Sequence, residues 1–218
     1  MILVINKNRR EACASADIFY YMGILSLGVC PEEAFSEIGL EYRAVMVMFP
    51  ELMADAHDYM KRLRKYTGKI PTFAITREPS QIPTEYFERV FDYNTLSSTV
   101  MKKITKFCEE NNLPYAGSYR TAGIDASADT EKVFFGNSEI ILTKTEKMIL
   151  RYLIRTYPAP SAPAKILKHA FRQTRAPLVT SVRTHISQIN KKFRTAAGIC
   201  PIERIESLGY VLSCPKTL

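Results

Sequence analysis

Cys13, Cys30, Cys108, Cys200 and Cys214 are scattered, odd in number and form no CxxC pair. His57, His169 and His185 are equally dispersed. A disulfide framework and a zinc site are therefore not expected, and no metal or other cofactor is assigned. No apolar run approaches the roughly 18 residues that cross a bilayer. The N-terminus reads "MILVINKNRR", with its charges after the apolar residues, opposite to a secretory signal. These absences predict a soluble, cytoplasmic protein with free thiols and no membrane partner. Also missing are a Gly-rich phosphate loop and any Ser–His or Cys–His pairing, so an enzyme is not expected.

Acidic residues are present, but unevenly. Residues 1–112 hold 14 Lys+Arg and 15 Asp+Glu, whereas residues 113–218 hold 16 and 7. All of the net +8 thus sits in the second half, which points to a polyanionic partner there. The first half alternates apolar runs with amphipathic stretches. "ILVI" (2–5), "ILSLGV" (24–29), "AVMVMF" (44–49), "IPTFAIT" (70–76) and "ERVFDY" (88–93) read as strands. Helices are expected over 11–23, 31–39, 55–68 and 97–112, the third with Tyr59, Met60, Leu63 and Tyr66 on one side. Continuous apolar strands separated by helices argue for a doubly wound parallel five-stranded α/β sheet. Ligands of such sheets sit beyond the C-terminal strand ends. Those ends carry Asn6 and Lys7, Met48 to Pro50, Thr76 and Arg77, and Asp92 and Tyr93, of which only Asp92 is acidic.

The texture changes after Asn112. "LPYAGSYRTAG" (113–123) reads as a linker running into a strand, and "KVFFGNSEIIL" (132–142) as a hairpin around Gly136-Asn137. "TKTE" (143–146) is a capping box that opens a helix burying Ile149, Leu150, Leu153, Ile154 and Tyr157. Ser161 is expected to cap a short helix carrying Ile166, Leu167, Ala170 and Phe171. In "PLVTSVRTHISQINKKFRTAAG" (177–198), Val182, Ile186, Ile189 and Phe193 form one apolar stripe. Roughly opposite lie Thr180, Thr184, Ser187, Gln188 and Lys191, flanked by Arg183 and Arg194. That face carries donors, acceptors and cations and no acid, as major-groove readout requires. From Thr143 to Leu218 there are 14 Lys+Arg against 3 acids, and the loop before the helix adds Arg172 and Arg175. "IERIESLGYVLS" (202–213) follows as a hairpin, completing the outline of a winged helix.

The order "VFFGNSEIILTKTE", "VRTHISQINKKF" and "IESLGYVL" resembles the OmpR/PhoB-type winged-helix effector domain. Leu142-Thr143, Glu146, His185-Ile186 and Gly209-Tyr210 match its most distinctive positions. The resemblance implies an α/β N-terminal receiver-like (CheY/flavodoxin-like) domain, residues 1–112, and a linker, 113–120. A C-terminal winged helix-turn-helix domain (α+β) would span 121–218. It also implies double-stranded DNA as partner, a homodimer through the receiver-like domain, and contact with RNA polymerase. Thr180, Arg183, Thr184, Ser187 and Gln188 would read bases. Arg172, Arg175, Lys191, Lys192, Arg194 and Arg204 would hold phosphates.

The chain also departs from that family. A working receiver needs two acids after its first strand to hold Mg²⁺ and an Asp ending its third strand as phosphoryl acceptor. A Thr or Ser after the fourth strand and a Lys after the fifth complete it. The matching positions here are Asn6-Lys7, Met48 (or Met46, if Pro50 is the anchor), Thr76 and "FDYNTL", so only Thr76 remains. The expectation is a regulator that is not switched by phosphorylation. An alternative is a protein-interaction module in which both halves dock protein partners. The span from Thr76 to Asp92 is short, which predicts a stunted fourth helix; Glu206 and Ser207 depart from the family in the wing.

Overall fold

Five apolar runs of the first half form parallel strands: β1 (Ile2–Ile5), β2 (Ser26–Val29), β3 (Ala44–Met48), β4 (Thr72–Thr76) and β5 (Arg89–Asp92). They are hydrogen-bonded in the order β2-β1-β3-β4-β5, all parallel. That is the flavodoxin-like doubly wound order. The computed structural model describes residues 1–39, 42–50, 55–95, 97–113, 117–128, 132–171 and 179–213. They fall into two compact units, Met1–Ala116 and Gly117–Leu218.

Every residue of β1 and β3 is buried, because helices cover both faces. The helices are α1 (Arg9–Tyr21), α2 (Pro31–Glu37), α3 (Ala56–Thr67) and α4 (Ser97–Glu110). Phe35 of α2 packs on Tyr59 and Tyr66 of α3, so these two share a face. Phe19 of α1 and Val100 of α4 line one cavity, so those two share the other. At Gly28 of β2 a side chain is impossible: a Cβ would lie 2.3 Å from the Ala12 carbonyl carbon, which sets how closely α1 approaches the sheet. Met60 and Leu63 are buried as expected, but Tyr66 is exposed and Thr67 takes the inward place.

The fourth crossover departs furthest from expectation. Instead of a stunted α-helix, the segment between β4 and β5 makes two 3-10 turns, Pro79–Gln81 and Thr84–Tyr86. Two prolines explain this. Pro83 cannot donate an amide and pushes the preceding residue out of helical geometry, and Ile82 is extended at φ −116°, ψ 148°.

In the second unit a four-stranded antiparallel meander comes first: β6 (Arg120–Thr121), β7 (Ile124–Asp125), β8 (Val133–Phe135) and β9 (Ser138–Ile140). Three helices follow, α5 (Lys144–Thr156), α6 (Pro163–Ala170) and α7 (Val179–Ala197). The hairpin β10 (Ile202–Ile205) and β11 (Gly209–Leu212) closes the unit as a wing. Arg151 of α5 is buried and joins helix to meander: its Nε donates to the Ala126 carbonyl at 2.6 Å and an Nη to that of Ser127 at 3.1 Å. Its guanidinium also lies 5.3 Å from the Tyr119 ring centroid. Tyr157 is not inward; it ends α5 and is 37% exposed. Nor does Ser161 cap α6, whose N-cap is Ala162. Ser161 is committed elsewhere, its backbone bridged to Tyr210 of the wing and its hydroxyl bonded to Thr156. No described helix is long and apolar enough to cross a membrane.

The bridge from Ser161 to Tyr210 constrains Gly209. It adopts φ +113°, and a Cβ there would lie 2.2 Å from the Ser161 carbonyl oxygen. Gly209→Ala is therefore expected to destabilise the second unit by at least about 2 kcal/mol, checked by urea unfolding of the variant. An unchanged midpoint would mean that the wing is not held in this way.

Candidate nucleic-acid interface and the strand-end site

Helix α7 owes its length to residues 179–197, which contain no Gly or Pro and no acidic residue. Val182, Ile186, Ile189 and Phe193 are all buried, as their spacing predicts. The helix is also tethered on both flanks. On one, the Asn190 side chain acts as a strand partner: its Nδ2 donates to the Ile202 carbonyl at 2.7 Å, and its Oδ1 accepts from the Ile202 amide at 3.1 Å. On the other, Lys192 Nζ donates to Glu146 Oε2 at 2.6 Å. At 3.6 residues per turn, the arc left between these tethers on the outer side spans about 200°.

Besides Thr195, the exposed side chains in that arc are Thr180, Arg183, Thr184, Ser187, Gln188, Lys191 and Arg194. They extend over roughly 21 Å of helix axis at 1.5 Å per residue. The structure therefore brings together all five expected base readers and two of the expected phosphate contacts. Lys192 is different: half-buried and ion-paired, it positions α7 rather than offering a free cation. The Arg194 guanidinium is turned toward Cys200, with Nη2 3.0 Å and Nε 3.3 Å from Sγ. Arg204 is exposed on the wing. Arg172 and Arg175 lie outside the described residues. Beside the C-terminal half of the helix runs a groove of about 480 Å³ lined by Gln188, Lys191, Thr195, Glu139 and Ile141. Ile141, 81% exposed, had no place in the sequence reading because nothing in its local pattern distinguishes it from a strand residue.

Glu146 holds this arrangement together. It is 4% exposed, and its Oε2 accepts from the Thr143 amide at 2.7 Å as well as from Lys192. Burial alone would raise its pKa. The hydrogen bonds from Lys192 and the Thr143 amide, with the Lys192 charge, outweigh burial and hold it below the usual carboxylate value.

In the first unit, Asn6 and Met48 emerge side by side, because Ile5 pairs with Val47. Both line a cavity of about 400 Å³ at the strand ends. Met46 lies two residues back and is fully buried within the sheet, so Met48 occupies the strand end. Lys7 is exposed and outside the lining. Thr76 is buried, its hydroxyl accepting from the Glu78 amide at 3.1 Å, and it does not reach the cavity. One lining acid escaped the strand-end reading: Glu11, in the first turn of α1, whose Oε2 accepts from the Asn6 side chain at 3.2 Å. Among the described residues the site offers an amide, a thioether and one carboxylate already engaged by Asn6, which do not fit Mg²⁺, an ion that takes several oxygen ligands in octahedral geometry. Among the described residues no cluster of three or more His, Cys, Asp or Glu could hold a metal.

A carboxylate whose pKa is lowered by folding adds stability above its unfolded value near 4.5, and that stability is lost as pH falls through the folded value. Glu146→Gln should therefore cost roughly 1 to 3 kcal/mol at pH 7. Between pH 5 and pH 3 the variant should lose less stability than the parent chain, as followed by thermal melts. Parallel pH profiles would rule out the Glu146 pair as a source of acid lability.

No family model matches the chain, and no curated protein does. Solved structures do. The DNA-binding domain of the response regulator AdeR, in complex with an intercistronic region, is 23% identical, covering 44% of this chain and 98% of that one at TM-score 0.39. A redox sensor of the streptococci, described as evolved from two-component response regulators, is 14% identical over 97% and 98% of the two chains, at TM-score 0.41. DrrB of Thermotoga maritima, an OmpR/PhoB homologue, is 16% identical over the same shares at TM-score 0.40.

Proposed function

We propose that the chain is a DNA-binding transcriptional regulator of the response-regulator type, working in the cytoplasm. The observation that carries this is the exposed face of α7. It is free of acids, rich in short donors and acceptors, and held rigid by Asn190 and Lys192 on its two flanks. A helix fixed before binding loses little freedom on docking, so more of its contact energy remains as affinity. Arg183, Thr184, Ser187 and Gln188, with Thr180, read base edges in the major groove. Lys191, Arg194 and Arg204 contact phosphates, with Arg172 and Arg175 adding charge ahead of the helix.

The receiver-like unit, in this reading, does not take up a phosphoryl group. Met48 occupies the strand end where a carboxylate nucleophile would stand, and a thioether cannot replace it. Control passes instead to protein level, to a ligand or partner of the first unit, or to constitutive dimerisation. A homodimer would not use the usual helix–strand–helix face, since two 3-10 turns stand where its first helix would be.

An ionic-strength series on duplex DNA tests the DNA reading. About six phosphate contacts give a log–log slope near −5. Lys191→Ala should weaken all sequences alike, whereas Arg183→Ala should also relax preference at one base position by about 1–3 kcal/mol. A flat salt response, with stoichiometric capture of a protein partner, would favour the protein-docking alternative. Phosphorylation independence has its own test. Intact mass after incubation with acetyl phosphate should be unchanged, and a hydroxylamine-labile adduct on residues 1–112 would overturn it.

A further inference from the structure

The strand-end cavity is built for something other than metal and phosphate. One side of its wall is apolar, with Phe19 from α1, Met48 and Phe49 at the end of β3, and Ile75 of β4, while Asn6, Glu11, Ser15 and Thr95 add polar groups. Arg77 stands at its rim. The guanidinium carbon lies 5.4 Å from the Phe49 ring centroid and 5.0 Å from that of Tyr93, and the two rings are 5.1 Å apart. Both aromatic rings therefore lie within cation–π distance of the guanidinium, and among the described residues its N–H groups have no hydrogen-bond acceptor. Among the described residues no carboxylate pairs with Arg77. Phe49 itself sits at φ +51°, a left-handed conformation rare for a bulky residue, just where its ring meets both Arg77 and the cavity.

We propose that this cavity binds a small amphipathic carboxylate, its apolar body against Met48 and Ile75 and its carboxylate on the N–H fork of Arg77. The volume of about 400 Å³ suits such a molecule, within the range of small-ligand sites. Charge selects against phosphate. A dianion needs several cations or a nest of amides, whereas among the described residues this lining holds one cation, Arg77, and one carboxylate, Glu11. A monoanion with an apolar body satisfies Arg77 and meets less repulsion from Glu11 than a dianion would. The inference stands independently of whether the second unit binds DNA.

The test uses the full chain and three probes: 3-phenylpropionate, its neutral amide and inorganic phosphate, titrated by calorimetry and by NMR of methionine methyl groups. The carboxylate should bind saturably, at least about tenfold tighter than the amide, and should shift the Met48 methyl resonance; phosphate should not bind. Arg77→Gln should lower carboxylate affinity about tenfold without changing the melting temperature, since Arg77 is exposed. Absence of saturable binding, equal affinity for acid and amide, or a preference for phosphate would each overturn the proposal. The acid–amide comparison needs no variant, so it holds even if Arg77→Gln perturbs the fold.

Discussion

The Glu146 carboxylate is the point on which the second unit turns. It closes the capping box at the start of α5 and, through Lys192, fixes the third helix of the unit from a position 46 residues away in sequence. A buried carboxylate without partners would be costly, so the cap and the lysine are not ornaments to a stable charge but the condition for its being there. Together with the Asn190 contacts to β10, it fixes the rotation of α7 about its own axis. That rotation decides which side chains face outward. The hydrophobic stripe alone would leave it softer, because apolar contacts are non-directional, whereas hydrogen bonds to a carboxylate and a backbone amide are not.

Much of this architecture could be read from the residues. The central strands β1 and β3 were legible because burial on both faces leaves unbroken apolar runs. The core stripe of α7 was legible because four residues at helical spacing admit one inward face. The capping box at Thr143 and Glu146 was legible because both partners lie within one turn. What could not be read depends on partners distant in sequence. Arg151 looks like a surface cation of α5, yet its acceptors are the carbonyls of Ala126 and Ser127 across the unit. Lys192 looks like a phosphate contact, yet its carboxylate belongs to another helix. Helix ends misled for a related reason: periodicity assigns Tyr66 and Tyr157 inward, but it says nothing about where the covering element stops. Ser161 has the chemistry of a cap, and only the wing's position shows why it is used otherwise.

The strand-end site shows the same division. Position along the sheet identified Asn6, Met48, Arg77 and Tyr93 as residues near the C-terminal edge. Glu11 was not among them, because it comes from the helix that packs beside that edge and not from a strand end. Thr76 met its sequence description and still lies apart, its hydroxyl spent on the Glu78 amide. A side chain of the right type at the right register is thus not yet a member of a site; its remaining hydrogen-bonding capacity must also point there.

The connection from β4 to β5 has a consequence for how this chain can vary. Parallel neighbours need a crossover of roughly a dozen residues even without a regular helix. Here the passage from Arg77 to Glu88 is made with two short turns and two prolines, close to that lower bound. Lengthening such a passage costs little, since closure entropy grows only logarithmically with loop length. Shortening it would pull β5 out of register with β4. The segment therefore has a one-sided tolerance: it can gain residues and grow a new surface, but it has almost none to lose.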